Sequence, residues 1–230
     1  MTEFTCYRCH APLTPRGECA CKDGICLVCA DCRDVLPTLE AGAFAVMMTD
    51  PPYGYGFESG WESSHRGRQI ANDQDTECRD FAIQWCNGRP WACFGSWRVL
   101  PPVGAKTALV WDKGPASGMG DLSVPWKCSW ELIWIAGSGW QGHRGEGVLR
   151  GHTVVTWERR GRRHVNEKPS SLIAALLAKA PIGPVIDPFA GSGPVGRACK
   201  DLGRRCLMVE IEPKYAEIAA ERLKQEVLFA

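Results

Sequence analysis

Two short apolar runs in this chain end in Asp–Pro and then enter a turn that carries glycine: "MMTDPPYGYG" over residues 47–56 and "PVIDPFAGSG" over residues 184–193. The first is the end of a longer run, Ala41 to Thr49, too short for a typical core helix. Runs like these, without polar alternation, suit strands buried on both faces. An acid where such a strand stops lies at the carboxyl edge of a sheet, where open α/β folds bind their ligands. The pattern predicts an α/β fold, a doubly wound and mostly parallel sheet, with each turn at a ligand-binding edge.

The tail extends this reading. After the second turn, "PVGRACKDLG" reads as a helix stopped by Gly203, and "RCLMVE" as a buried strand ending at Glu210. "PKYAEIAAERLKQEVL" then reads as an amphipathic helix with Pro213 in its first turn. A glycine turn lets backbone approach a ligand, and an acid after the next strand accepts bonds from ribose hydroxyls. The glycines are spaced G-x-G and not G-x-G-x-x-G, so a pyrophosphate-binding dinucleotide site is not the best match. Upstream, "GICLVCADC" reads as a strand with Cys26 and Cys32 on one face and Cys29 on the other, followed by a short helix interrupted at Pro37. "TECRDFAIQWCNG" reads as a helix that buries Phe81, Ala82, Trp85 and Cys86 and stops at Asn87–Gly88.

Of thirteen cysteines, seven precede residue 33. No basic-then-apolar leader opens the chain, so a reducing, cytoplasmic setting is expected. No apolar run is long enough to span a bilayer, so a membrane is not an expected partner. Cys6 and Cys9 form a C-x2-C pair, and Cys19 and Cys21 a tighter C-x-C pair. Two close pairs of thiolates make a closed tetrahedral zinc site, and so short a segment needs the metal to fold. The expected organisation is a zinc knuckle over residues 1–23 and an α/β domain over 24–230. A flexible, reduced Cys-rich arm is the bland alternative, and His10 reads as a solvated loop residue.

Together "DPPY" at Asp50–Tyr53, "DPFAGSG" at Asp187–Gly193 and "HVNEKPSSLIAALLAKA" at His164–Ala180 resemble the amino-group DNA methyltransferases that use S-adenosylmethionine. With the tetrapeptide first and the glycine turn last, the order is similar to their permuted beta group, which acts on adenine N6 or cytosine N4. RNA and protein methyltransferases with similar tetrapeptides usually carry the glycine motif first. The group often has Pro and Thr where this chain has Val165 and Asn166. "WDKG" at Trp111–Gly114 also fits, and the likeness covers residues 24–228 but not the cysteine head. It implies base flipping and direct in-line transfer. Asp50 and the Pro51 carbonyl would accept the amine protons, Pro52 would fix the turn, and Tyr53 would stack on the everted base. It also implies cofactor contacts at Asp187, Phe189, Gly191, Ser192 and Gly193, with Glu210 on the ribose and Lys168 and Pro169 at the methionine end. Asp31 either approaches the adenine edge or simply opens the next helix. A leading Asp favours adenine N6, with cytosine N4 as the alternative, in a phage or bacterial enzyme. Two rivals remain: the same fold acting on RNA, and a zinc-ribbon nucleic-acid-binding protein whose methyltransferase half is inert.

The net charge is only +1, so charge placement has to locate a polyanionic partner. Between Gly139 and Arg163 stand six arginines (Arg144, Arg150, Arg159, Arg160, Arg162 and Arg163) and two glutamates, with Trp140, His143 and His152 interleaved. That suits phosphate contact and insertion at a flipped-base gap, within a target-recognition region over 112–163; a solvated charged hairpin is the plainer reading. Residues 54–75 read as a long loop that orders on DNA. All ten tryptophans lie between Trp61 and Trp157, and most are assigned to core packing. Double-stranded DNA is the expected partner, with a homodimer as a second.

Overall fold

The structure, a computed structural model, describes residues 3–56, 71–114, 122–152 and 168–225. Eight strands form one sheet: β1 (Ile25–Cys29), β2 (Val46–Thr49), β3 (Trp91–Gly95), β4 (Thr107–Asp112), β5 (Trp130–Ala136), β6 (Val148–Leu149), β7 (Val185–Asp187) and β8 (Cys206–Glu210). Their order is β1-β8-β7-β2-β3-β5-β4-β6. β1, β8, β7, β2 and β3 run parallel, and β5 lies antiparallel between β3 and β4. The chain goes from β7 to β8 in one direction and from β2 to β3 in the other. β2 and β7 therefore flank the point where the winding reverses, where a ligand crevice opens outside the strand ends.

The strands read as apolar runs because both faces are covered. Ile25, Leu27, Val46, Met48 and Phe94 pack under α3 (Ser170–Leu177), α4 (Pro194–Asp201) and α5 (Pro213–Lys224). Their neighbours Cys26, Val28, Met47 and Cys93 face α1 (Cys32–Val35) and α2 (Glu77–Trp85). Period-two alternation thus persists, but it separates two apolar cores and not core from solvent.

Three boundaries differ from the sequence reading. β1 stops at Cys29; Asp31 accepts a bond from the Arg33 amide and caps α1, so Cys32 is a helical residue and shares no strand with Cys26. Ala41–Ala43 form a 3-10 turn, leaving only Val46–Thr49 to the strand. α2 buries Cys78, Ala82 and Ile83, with Cys86 buried at its C-cap, while Phe81 and Trp85 are half-buried, so the buried stripe keeps Ala82 and Cys86 but is rotated away from Phe81 and Trp85.

The head packs directly on the sheet. The Tyr7 amide donates to the Leu27 carbonyl at 2.6 Å, and Arg8 donates to the Ile25 carbonyl while gripping Asp23 through two bonds of 2.8 and 2.7 Å. β1 is an edge strand, and the head occupies its free carbonyls, which an uncovered edge would offer to other chains. Among the described residues, no helix is long and apolar enough to cross a membrane.

Candidate active site

The two Asp–Pro turns meet. β2 and β7 are hydrogen-bonded neighbours, and the last residue of β2, Thr49, donates through Oγ1 to Asp187 Oδ1 at 2.8 Å. Asp50 follows Thr49 directly, so the tetrapeptide and the glycine turn leave adjacent strands on the same edge. Asp187 is 1% exposed and also accepts from the Phe189 amide at 3.1 Å. Burial raises its pKa to about 7, against the pull of these two bonds. Its carboxylate therefore shapes the turn from inside.

A closed charge cluster surrounds Asp50. Lys168, 4% exposed, donates to Asp50 Oδ2 at 2.8 Å, to Glu131 Oε1 at 2.7 Å and to the Tyr53 hydroxyl at 3.2 Å. These three acceptors match the three protons of an ammonium. The Tyr53 hydroxyl lies 2.8 Å from Asp50 Oδ1 and 2.5 Å from Glu131 Oε1, so its one proton sits between two carboxylates. Lys113 Nζ closes the group at 2.6 Å from Glu131 Oε2. Two carboxylates and two ammoniums sum to zero, which a buried group needs.

Burial alone would discharge Lys168, but Asp50 and Glu131 outweigh it and raise its pKa above the usual lysine range. Burial likewise opposes the Glu131 charge, yet Lys168 and Lys113 draw its pKa down to about 2. Burial, then the Asp50 and Glu131 carboxylates, push the Tyr53 phenol well above its ordinary value, so it stays a phenol. Glu131 and Lys113 were not singled out as site residues, although "WDKG" contains Lys113. The available signal was a lone acid inside the apolar run "WELIWIA" of β5.

The glycine turn fits an adenosyl ligand. Gly191 has φ +52°, and an added Cβ there would meet nothing within 4 Å, so its backbone faces open space. Gly193 has φ +79° and precedes α4; a Cβ there would lie 2.9 Å from the Ala219 Cβ. Glu210, at the end of β8, accepts from the Gly191 amide at 2.7 Å and the Glu212 amide at 2.8 Å. The expected ribose acceptor thus also braces the turn, and burial raises its pKa.

A family model described as DNA methylase, for N6 and N4 methyltransferases, matches residues 105–221, just over half of the chain. The chain belongs to the N6/N4 DNA methylase family. Over 217 residues it is 27% identical to the Escherichia coli K12 protein YubD, named as a methylase; the match covers 84% of this chain and 87% of that one. Over 64 residues it is 39% identical to the type II methyltransferase M.HinfI of Haemophilus influenzae, covering 27% of this chain and 18% of that enzyme. The fold is shared with the M1.HpyAVI–SAM complex (TM-score 0.62, 19% identity, 87% of this chain and 100% of that one). It is also shared with the cytosine-N4-specific PvuII DNA methyltransferase (TM-score 0.61, 13% identity, 90% of this chain and 88% of that one).

Within the methylase, the remaining expected residues are placed unevenly. Asp31 caps α1 and pairs with Arg33 at 2.5 Å, which matches the helix-opening reading. Pro169 is the residue before α3, next to Lys168. The Trp140 indole donates to the Ala136 carbonyl and packs against the core, so its ring is not presented to solvent as an insertion residue. Arg150 pairs with Glu146 at 3.0 Å, and Arg144 is exposed. Arg159, Arg160, Arg162 and Arg163 lie outside the described residues, as does most of the loop over 54–75. Trp91 and Trp111 are buried as expected, but Trp97, Trp126 and Trp130 are exposed.

In the head, the sulfurs of Cys6, Cys9, Cys19 and Cys21 all lie within 4.8 Å of one another, with Cys6 and Cys21 at 3.7 Å. Tetrahedral zinc with bonds of about 2.3 Å separates its sulfurs by about 3.8 Å, so the spacing fits that metal. The structure also joins Cys19 to Cys26 as a disulfide. That pairing departs from the expectation of free or metal-bound thiols, and while it is formed Cys19 is not available as a thiolate ligand.

The state of Asp187 has a measurable consequence. An unfolded aspartate ionises near about 4. Between that value and about 7 the folded methylase holds a proton that the unfolded chain has lost. This group's stabilisation is therefore fully present below the unfolded pKa and lost as pH rises through the folded one. Asp187→Asn keeps the acceptor for Thr49 and is expected to flatten that slope in thermal melts from pH 4 to 8. A variant whose slope parallels the native one would contradict the assignment.

Proposed function

We propose that this methylase transfers a methyl group from S-adenosylmethionine to the exocyclic N6 of adenine in double-stranded DNA. The observation that supports the reading is the Thr49–Asp187 bond, which ties the strand leading into Asp50 to the strand leading into the glycine turn. The resemblance of the Asp-led tetrapeptide to adenine enzymes supports adenine over cytosine N4. Bound S-adenosylmethionine would supply an electrophilic methyl on its sulfonium. Phe189, Gly191, Ser192, Gly193 and Glu210 would hold its adenosine, with Pro169 nearer the methionine.

The chain's own residues do the rest. A base amine inside a duplex is out of reach, so the nucleotide must turn out of the stack. The amine lone pair is delocalised into the ring and is a weak nucleophile. Asp50 and the Pro51 carbonyl accept hydrogen bonds from its two N–H groups, which draws the nitrogen toward tetrahedral geometry and stabilises the positive charge it gains. Pro52 fixes the turn, and the Tyr53 ring offers a flat face to the base. Lys168 aims the Asp50 carboxylate through a contact of 2.8 Å. Much of the acceleration is positioning.

Expression in a host without DNA methylation, followed by single-molecule sequencing, tests this. Modified adenines at one recurring sequence are expected. Marks on cytosine would overturn the adenine assignment alone, and unmarked DNA beside methylated RNA would overturn the DNA reading.

The head is proposed to hold one structural zinc on Cys6, Cys9, Cys19 and Cys21. Under reducing conditions, elemental analysis should find one zinc per chain, and Cys26→Ser should leave that count unchanged. Chelation should lower the melting temperature, because metal binding here is folding energy. Zinc-free protein with eleven free thiols, the number outside the Cys19–Cys26 pair, would defeat the proposal.

A further inference from the structure

The residues first expected to meet DNA are partly engaged elsewhere, Trp140 with the core and Arg150 with acids. Another surface begins in the catalytic turn itself. The Tyr53 ring packs against Tyr55 at 6.1 Å between centroids. The Arg98 guanidinium lies 5.6 Å from the Tyr55 ring and 5.4 Å from the Trp97 ring. Trp97 is 60% exposed, a large apolar area for a lone indole to leave in water. Arg98 is exposed and pairs with no carboxylate among the described residues. The chain thus places a ladder of Tyr53, Tyr55, Arg98 and Trp97 from the catalytic acid outward.

Topology puts this ladder on the reactive edge. β3 is parallel to β2, so Gly95 and the residues after it emerge on the same side as Asp50. β4 runs in the same sense, because both β3 and β4 are antiparallel to β5. The loop joining β4 to β5 therefore lies on that side too, and it carries the exposed Trp126. A cation beside aromatic rings, with no acid paired to it among the described residues, suits a partner that offers both phosphate and flat base surface.

We propose that Trp97 and Arg98 form a docking step for duplex DNA at the mouth of the catalytic pocket, Arg98 on a phosphate flanking the everted nucleotide and Trp97 against the stack it leaves. This rests on the DNA reading above. The occupant is DNA and not a protein because the surface is continuous with Tyr53, which faces the reacting base in that reading, and because the Arg98 cation pairs with no carboxylate among the described residues.

The test compares native protein, Arg98→Ala and Trp97→Ala. Binding to a labelled duplex carrying the mapped site is read by fluorescence anisotropy over a salt series. S-adenosylmethionine affinity and melting temperature are measured beside it. Arg98→Ala should weaken binding about tenfold and make the salt dependence shallower by about 0.9 in log–log slope, the loss of one phosphate contact. Trp97→Ala should weaken binding about tenfold at unchanged slope, the loss of a stacking surface. Both should keep donor affinity and melting temperature. Native binding and slope in both variants would overturn the step while leaving the methylase reading intact. Loss of donor affinity or melting temperature in proportion to the loss of DNA binding would also overturn it, by showing a structural role. Native protein that neither binds nor marks DNA would instead sink the reading beneath it.

Discussion

Replacing Asp50 with alanine is expected to lower methyl transfer by about three orders of magnitude or more while leaving the methyl donor bound. Removing one preorganised electrostatic group from a reaction centre costs about 10²–10³ in rate. Asp50 would also supply the path for the proton that the methylated amine must lose, a contribution of about 10²–10⁴ when a base is well placed. Both Asp50 oxygens already accept bonds, from the Tyr53 hydroxyl and from Lys168. A carboxylate has about four acceptor sites, so these contacts aim it without filling it. Donor affinity should change by less than about threefold, because the glycine turn is braced by Asp187 and Glu210 and not by Asp50. Asp50→Asn separates charge from shape. It keeps an acceptor oxygen, loses the charge, and should retain more stability than alanine while still losing about a hundredfold in rate. Sequencing of host DNA reads the outcome: marks present with native protein disappear with Asp50→Ala. Persisting marks would remove Asp50 from the chemistry.

What the sequence disclosed, and what it hid, follows from the distance over which each feature is determined. The ends of β7, α4 and β8 and the start of α5 were legible because local signals set them: Asp–Pro at a strand end, Pro194 and Pro213 at helix starts, and Gly203 beyond a helix end; α5 itself stops at Lys224, short of the run read as helix. The convergence of Asp50 and Asp187 was legible because two turns of the same design belong at one switch point. The Thr49 bond that joins them spans 138 positions and has no local signature. Glu131 was hidden for the same reason. It reaches Lys168 only because β5 inserts antiparallel between β3 and β4, a pairing that no short window of residues encodes. Local competition explains the boundary errors. The Asp31 side chain gave the backbone a cap in place of another strand residue, and Glu40 to Ala43 closed a 3-10 turn inside an apolar run. The exposed Trp97 was misjudged because a tryptophan in a Trp-rich stretch carries no mark of which side it faces.

Glu131→Gln should destabilise the fold more than any surface change and slow catalysis as well. The native cluster is neutral: Asp50 and Glu131 against Lys168 and Lys113. The variant leaves one net positive charge beside a nitrogen that becomes positive as it reacts. Breaking a buried ion pair by removing one partner costs about 3–5 kcal/mol. Lys113 is partly exposed, which moves the expectation to the lower end. For a domain this size about 3 kcal/mol corresponds to roughly a 10 °C fall in melting temperature. Two readouts separate positioning from mere packing. With one carboxylate gone, Lys168 loses part of what holds its pKa up, so the alkaline limb of the pH–rate profile should move to lower pH. Adding Lys113→Met to Glu131→Gln restores neutrality, and the double variant should regain part of the lost stability and rate, as coupled neighbours in a mutant cycle do. If the double variant melts no higher than Glu131→Gln, and its alkaline limb has not moved, then Glu131 fills space in β5 and the charge balance around Asp50 is not what sets the site.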